Sequence, residues 1–174
     1  MTRLVLVLAL VVLIGLAYWG LAVGWRHRAA RQSDVAAPPA PPPGLDGELV
    51  APLTGLYVST TRSGRWQDRL VVHTLGRRAR ATVRLFDGGV LVDRVGEDPV
   101  WVPAAALDAV GTAPGIAGKV MGMDDGVLVL TWRLGDLPVD TGIRVDDLDA
   151  QQDWIAAAQR LLPGGARPTN GAGR

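Results

Sequence analysis

The chain has 174 residues, a formal net charge of +1 at pH 7 and no cysteine. This length fits one domain of ordinary size with appendages. The lack of cysteine excludes a disulfide framework, a thiolate metal site and a cysteine nucleophile. The near-neutral total hides an uneven distribution, because many of the basic residues gather in one short block and most acidic residues follow it.

An apolar segment follows a flank of residues 1–3. Residues 4–25 contain no formally charged side chain. As a helix they would extend about 33 Å, against ~30 Å for the hydrocarbon core of a bilayer. The alternative, a cleaved signal peptide, has a shorter apolar region and a small-residue cleavage site close behind it. The sequence therefore favours an uncleaved transmembrane helix over residues 4–25.

The charges on the two sides of this segment predict its orientation. Arg3 precedes the segment, whereas Arg26, Arg28 and Arg31 follow it. Loops rich in lysine and arginine stay in the cytoplasm. We therefore expect a single-pass protein of the plasma membrane, with its N-terminus outside and its remaining residues in the cytoplasm.

Two glycines within the apolar segment suggest a contact between helices. Gly20 and Gly24 have the G-x-x-x-G spacing that lets a second helix approach closely. The alternative is that glycine is simply common in membrane helices. As a hypothesis, Gly20 and Gly24 form the contact of a homodimer.

Residues 26–48 are predicted to form a basic flank and a proline-rich linker. Five prolines lie between Pro38 and Pro43. Because proline fixes φ and lacks an amide donor, we expect a polyproline II spacer that is not packed. The residues from Ala29 to Glu48 would reach about 60 Å when extended. A ligand for an SH3 domain is the weaker alternative.

Residues 49–163 have the pattern of a β-rich domain. Alternating apolar residues on both sides of Gly135-Asp136 predict one hairpin, and Asp87-Gly88 marks the tip of a second. With the segments DPVWVP, LDAVGTA and LTGLYVSTT, about seven short strands are expected. Strands so closely spaced, with no helix between them, indicate an antiparallel sandwich or barrel.

One helix is predicted near the C-terminus. Asp149 is a plausible N-cap, with Gln152 at the capping-box position. An apolar stripe follows, formed by Trp154, Ala157, Ala158 and Leu161. A helix with one apolar face must bury that face, so we expect it to cover an open end or edge of the barrel. Residues 164–174 are expected to form a disordered tail.

Three stretches carry a resemblance to a known family: TGLYVSTTRSGRW, GIAGKV and TWRLGDLPVDTGIR. With them, the chain resembles the actinobacterial single-pass membrane proteins that contain a bacterial PH-like domain. The resemblance covers residues 53–162 and the N-terminal apolar segment. It implies a seven-stranded antiparallel barrel or sandwich capped by one C-terminal helix, and it implies no established activity.

Positive charge is concentrated in the arginine block, which we define as residues 62–80. The block holds six arginines and one acid, Asp68, whereas residues 85–163 hold five basic and thirteen acidic residues. In PH domains that bind lipids, the connection between the first two strands resembles this block in being basic and in facing the headgroups. Arginine also suits phosphate. The hypothesis is contact with anionic lipid headgroups through Arg62, Arg65, Arg69, Arg77 and Arg78.

Two alternatives to the lipid hypothesis stay open. The arginines can instead pair with the acids of the second half as ordinary ion pairs. The domain can also serve as a protein-recruitment module, or as an accessory subunit of a larger membrane assembly for export or transport. A stoichiometric partner protein would favour that last interpretation.

No pattern in the sequence predicts catalysis. His73 stands among apolar residues and is expected to be buried and hydrogen-bonded. None of the three serines lies in a G-x-S-x-G motif, and GIAGKV lacks the spacing of a phosphate-binding loop. We therefore expect a non-enzymatic protein that scaffolds or binds near the membrane. We expect no cofactor, no metal site and no nucleic-acid partner.

Overall fold

The structure is a computed structural model that describes residues 2–30, 32, 34–113, 115–116, 119–120 and 126–162. The chain divides into two compact units, residues 1–34 and residues 35–174. The predicted tail, residues 164–174, lies outside the described residues.

The first unit consists mainly of one helix, α1, which runs over Thr2–Ala30. Its apolar side chains from Leu10 to Ile14 are exposed, as are Tyr18 and Trp19. Among the helices that the described residues form, none has the length and hydropathy needed to span a bilayer. The transmembrane helix that the sequence predicts therefore lacks support from the structure.

The second unit is mainly antiparallel β-sheet, as predicted. Its strands are β1 (Leu53–Arg62), β2 (Arg65–Arg69), β3 (Ala79–Phe86), β4 (Gly89–Arg94), β5 (Val100–Pro103), β6 (Leu107–Ala113), β7 (Gly115–Ile116), β8 (Lys119–Val120), β9 (Val127–Leu134) and β10 (Leu137–Val145). Seven of them follow one another in the order β5-β4-β3-β1-β10-β9-β6. Strand β2 pairs with β1, and β7 and β8 form a separate small hairpin.

Both predicted hairpins are confirmed. Strands β9 and β10 flank Gly135-Asp136, and Leu137 pairs with Leu134. Strands β3 and β4 flank Asp87-Gly88. Gly135 has a φ of 61°, a left-handed conformation that suits glycine in a tight hairpin turn. The period-two pattern of the sequence was sufficient to locate these strands because each has one face in the core.

The predicted C-terminal helix is also confirmed, as α2 over Leu148–Gln159. Its N-cap is Asp147, whose carboxylate accepts from the amides of Asp149 and Ala150. The N-cap prediction was therefore two residues late, because three neighbouring aspartates offer the same capping chemistry. Trp154 is fully buried and packs in the core with Ile155 and Ala158.

Part of the segment that we assigned to the linker packs on the domain. Val35 is 7% exposed and belongs to the core, and its carbonyl lies 2.9 Å from Nε2 of His73. Leu45 packs on the cluster of Phe86, Leu91 and Trp101. We call residues 35–50 the strap, because they run along the sheet before β1 begins. Only residues 31–34 separate α1 from the strap.

Candidate functional site

The connections that carry the arginines meet at one end of the sheet, which we call the loop end. It comprises residues 63–78, with the short strand β2, residues 94–99 and residues 135–136. The amide of Ser63 donates to the carbonyl of Pro138 at 3.0 Å, which ties the β1–β2 turn to the start of β10. Arg77 and Glu97 form an ion pair of 3.2 Å between two of the connections. These contacts bring residues that are distant in sequence onto one surface.

A chain of buried hydrogen bonds supports the loop end from inside. The indole of Trp132 donates to Oγ1 of Thr141 at 2.9 Å, and that oxygen lies 2.8 Å from Oγ1 of Thr60. Thr60 is in turn 2.8 Å from the hydroxyl of Tyr57, which donates to the carbonyl of Leu75 at 2.8 Å. Because buried polar groups are costly when unpaired, this chain holds the connection around Leu75 in one place.

Burial also changes the acidity of Tyr57. The loss of hydration raises the pKa of its phenol from 10.0 to about 12, although hydrogen bonding to Thr60 and the charges of Arg94 and Arg69 act in the opposite direction. The neutral phenol is therefore the form that the folded protein stabilises. Its hydroxyl remains a hydrogen-bond donor to Leu75 up to strongly alkaline pH.

Arg94 is the central residue of the loop end, although no sequence pattern indicated its role. Its side chain is 3% exposed, and its guanidinium carbon lies 4.7 Å from the centre of the Tyr57 ring. Two of its nitrogens donate to the carbonyl of Asp98, at 2.8 and 2.6 Å. Other donors reach the carbonyl and the hydroxyl of Thr74, at 3.0 and 2.8 Å. Arg94 thus joins residues 70–78 to residues 95–99.

The turn that Arg94 holds has a strained backbone. His73 and Thr74 have φ values of 52° and 59°, and among the described residues no other non-glycine residue has a positive φ. Such conformations cost about 1–3 kcal/mol each and persist only where the surroundings enforce them. The prediction that His73 is buried is wrong, because its side chain is exposed, but its hydrogen bond to Val35 exists.

The five predicted anion-binding arginines divide into two groups. Arg62 pairs with Asp68 at 3.3 Å, Arg77 pairs with Glu97, and Arg69 donates to the carbonyl of Gly76 at 3.4 Å. Within the described part of the chain, Arg65 and Arg78 are exposed and their side chains have no hydrogen-bond or ion-pair partner.

The sixth arginine of the block and one arginine beyond it are also paired. Arg80 pairs with Asp146 at 3.1 Å, and Arg84 pairs with Glu48. The alternative of ordinary ion pairs therefore accounts for much of the positive charge of the block. Arg65 and Arg78 are the two arginines of the block that this alternative does not explain.

Two exposed apolar side chains at the loop end were not predicted as site residues. Trp66, next to Arg65, is 46% exposed. Val95, in the β4–β5 turn, is 75% exposed. Leu70 and Val72, which follow in the chain, pack on the core instead. Periodicity could have suggested Trp66, because it follows a Ser-Gly turn in a short strand whose other members are polar.

The remaining sequence predictions concern the two glycines of the apolar segment and the absence of a metal site. Gly20 and Gly24 are on α1, and a Cβ atom added at either would meet no atom within 4 Å. Among the residues that the structure describes, no group of three or more histidine, aspartate and glutamate side chains could hold a metal ion.

Comparison with known proteins identifies the domain. Residues 35–159 match the family described as Bacterial PH domain-like. No curated protein matches the chain. A solved structure titled "Vav1 inhibited by an allosteric inhibitor: Vav1 inhibitors block GEF activity" is similar at 13% identity and a TM-score of 0.36.

That similarity covers 79% of this chain and 33% of the Vav1 chain, so this chain spans about a third of that protein. The match to the family begins at Val35, the residue at which the strap enters the core. The chain belongs to the Bacterial PH domain-like family.

Proposed function

We propose that this protein is a non-enzymatic membrane protein that presents its PH-like domain in the cytoplasm and contacts anionic lipid headgroups with the loop end. The observation that carries the proposal is the pairing pattern of the arginines. Arg65 and Arg78 have no carboxylate or other partner among the described residues, and Trp66 is exposed beside Arg65. Two free guanidinium groups and an exposed indole suit a headgroup surface.

The electrostatic contribution can be estimated. A basic side chain near an anionic membrane surface gains about 1 kcal/mol, and the gain falls off within a Debye length of ~8–10 Å. Two free arginines would therefore add about 2 kcal/mol, which is weak binding when the domain is detached. Such an interaction becomes useful when a second element holds the domain at the membrane, as with other two-signal attachments.

The second element would be the N-terminal helix, as a plasma-membrane anchor with its N-terminus outside. This part of the proposal rests on the sequence: residues 4–25 lack formal charge, and the arginines lie mainly on their C-terminal side. Alkaline extraction of membranes should leave the full chain in the pellet. Protease added to intact cells should leave the domain uncut, and its digestion would contradict a cytoplasmic domain.

The headgroup contact can be tested with the fragment that begins at Val35, which is a compact unit. We expect it to float with vesicles that contain phosphatidylglycerol more than with phosphatidylcholine vesicles. The double variant Arg65→Glu/Arg78→Glu should lower that affinity at least about tenfold, because it reverses two charges.

The matched control is Arg144→Glu/Arg160→Glu, which reverses two exposed arginines outside the loop end. Flotation that ignores anionic lipid, or an equal loss in the control, would contradict the proposed surface. A stoichiometric protein that co-purifies with the full chain, with no lipid dependence, would instead favour the recruitment alternative.

A further inference from the structure

The place at which the chain enters the domain adds an inference to the proposed function, on which it rests. Val35 is the first residue of the second unit, and it lies at the loop end, since its carbonyl meets Nε2 of His73. Ala36 follows it there, 3.4 Å from the position that a Cβ atom on Gly135 would take. Whatever precedes Val35 in the chain is therefore attached to the domain at the loop end.

This entry point is fixed to the loops by several contacts. The side chain of Val35 is buried in the core, and its partner His73 belongs to the strained turn that Arg94 holds through Thr74. The strap beyond Val35 is fastened as well. Leu45 packs on Trp101, and the amide of Leu49 donates to the carbonyl of Leu85 at 2.9 Å.

The tether that remains is short. Only residues 31–34 lie between Ala30, where α1 ends, and Val35, and the five steps from Ala30 to Val35 reach about 17–18 Å when extended. The unpacked spacer predicted from the sequence would have reached about 60 Å and left the domain free to turn. The opposite end of the domain is well separated from the entry point, because β1 alone is ten residues, or about 33 Å, long.

We propose that the strap is an orienting device, which keeps the loop end turned towards the lipid surface that holds the N-terminal segment. Arg65, Arg78, Trp66 and Val95 all lie at that end. Their individual contacts with headgroups are weak, and attachment at the same end raises their local concentration at the surface without any new contact. The partner of this surface is anionic phospholipid, and the strap supplies the direction of approach.

The orientation can be measured on the full chain, which contains no cysteine and so accepts single labelling sites cleanly. Val95→Cys places a label at the loop end. Gln152→Cys places a label on the exposed side of α2, whose N-terminal end lies beside the start of β1, where the amide of Asp146 donates to the carbonyl of Thr54. Both labelled chains are reconstituted in vesicles of phosphatidylcholine and phosphatidylglycerol that carry a headgroup quencher.

We expect several-fold stronger quenching at position 95 than at position 152. Equal or reversed quenching in chains that remain bound to the vesicles would overturn the orientation and leave the anchor intact. A chain that does not bind the vesicles at all would instead overturn the proposed function, and the orientation with it.

A further experiment separates the orienting effect of the strap from the intrinsic affinity of the loops for lipid. A flexible Gly-Ser insertion of about 20 residues between Asp34 and Val35 restores the long reach that the sequence predicts. We expect the difference between positions 95 and 152 to shrink at least twofold. An unchanged difference would show that the loops orient the domain on their own, and it would overturn the role given to the strap.

Discussion

One tryptophan is buried near the loop end and another on α2, and the two differ in how their indole nitrogens are satisfied. Trp132, which lies towards the loop end, donates its indole proton to Thr141 and belongs to a chain of polar contacts. Trp154, on α2, is equally buried, but its indole nitrogen has no hydrogen-bond partner within the described structure. The comparison teaches that α2 contributes mainly through apolar packing, although Gln159 also donates to the carbonyl of Val110, whereas the loop end is organised by hydrogen bonds that fix particular loops.

The largest effect should come from removing the apolar contribution of α2. We expect Trp154→Ala to lower the free energy of unfolding by about 3–5 kcal/mol, because the side chain is 0% exposed and packs in the main core. Urea unfolding of the fragment from Val35 measures this loss. Gln152→Ala on the exposed face of the same helix is the control and should change stability by less than ~0.5 kcal/mol. A similar loss in both variants would mean that helix formation, and not packing, is the source.

Loss of the clamp, by which we mean the hydrogen bonds from Arg94 to Thr74 and Asp98, should rank second. Arg94→Met leaves the carbonyls of Thr74 and Asp98 without their guanidinium donors, and we expect a loss of about 2–4 kcal/mol. The exposed variant Arg144→Met provides the control. The distinguishing measurement is local: the amide resonances of His73 and Thr74 should move strongly, because their left-handed backbone depends on the clamp. Unchanged resonances would contradict that dependence.

The same contrast explains what the sequence could predict. The strands around Asp87-Gly88 and Gly135-Asp136, and the stripe that contains Trp154, follow from periodicity, because each element places one face in the core. The structure of the loop end does not follow from periodicity. Arg94 donates to carbonyls on two connections, and no local pattern encodes which carbonyl an arginine will meet. The family resemblance supplied the PH-like fold, and the match over residues 35–159 confirms it.

The strap and the candidate site were harder to predict for the same reason. Prolines and glycines from Pro38 to Gly47 have the composition of a linker, whereas the contacts of Val35, Leu45 and Leu49 show that the segment packs. For the arginines, the sequence itself shows the charged block. It could not predict which of them would find acids, because the partners of Arg77 and Arg80 lie 20 and 66 residues away.

The ionisation of Tyr57 at alkaline pH is a smaller perturbation at the loop end. The pKa of Tyr57 is raised to about 12 in the folded protein, against 10.0 for an ordinary tyrosine. The neutral phenol therefore contributes its full stabilisation below pH 10, and this contribution is lost as the pH rises towards 12. The total loss should be about 2–3 kcal/mol.

The fragment from Val35 contains Tyr57 as its only tyrosine, so ultraviolet absorbance reports this titration directly. Urea unfolding at several pH values, with Tyr57→Phe as the reference that cannot ionise, isolates its share of the stability. An absorbance midpoint near pH 10 in the folded fragment would contradict the burial of the phenol.

The substitutions with the smallest expected effect on stability give the sharpest test of which end of the domain contacts lipid. Glu97→Gln removes the carboxylate that pairs with Arg77 at the loop end, and Glu48→Gln does the same for Arg84 beside the strap. Both pairs are partly exposed, so each substitution should cost less than ~1 kcal/mol. Glu97→Gln should nevertheless raise the affinity for vesicles with phosphatidylglycerol about fivefold, because it leaves one more uncompensated charge at the headgroup surface. Glu48→Gln makes the same change in net charge away from the loop end and is the control. An equal rise in vesicle affinity in both variants would mean that total charge, and not the loop end, governs binding.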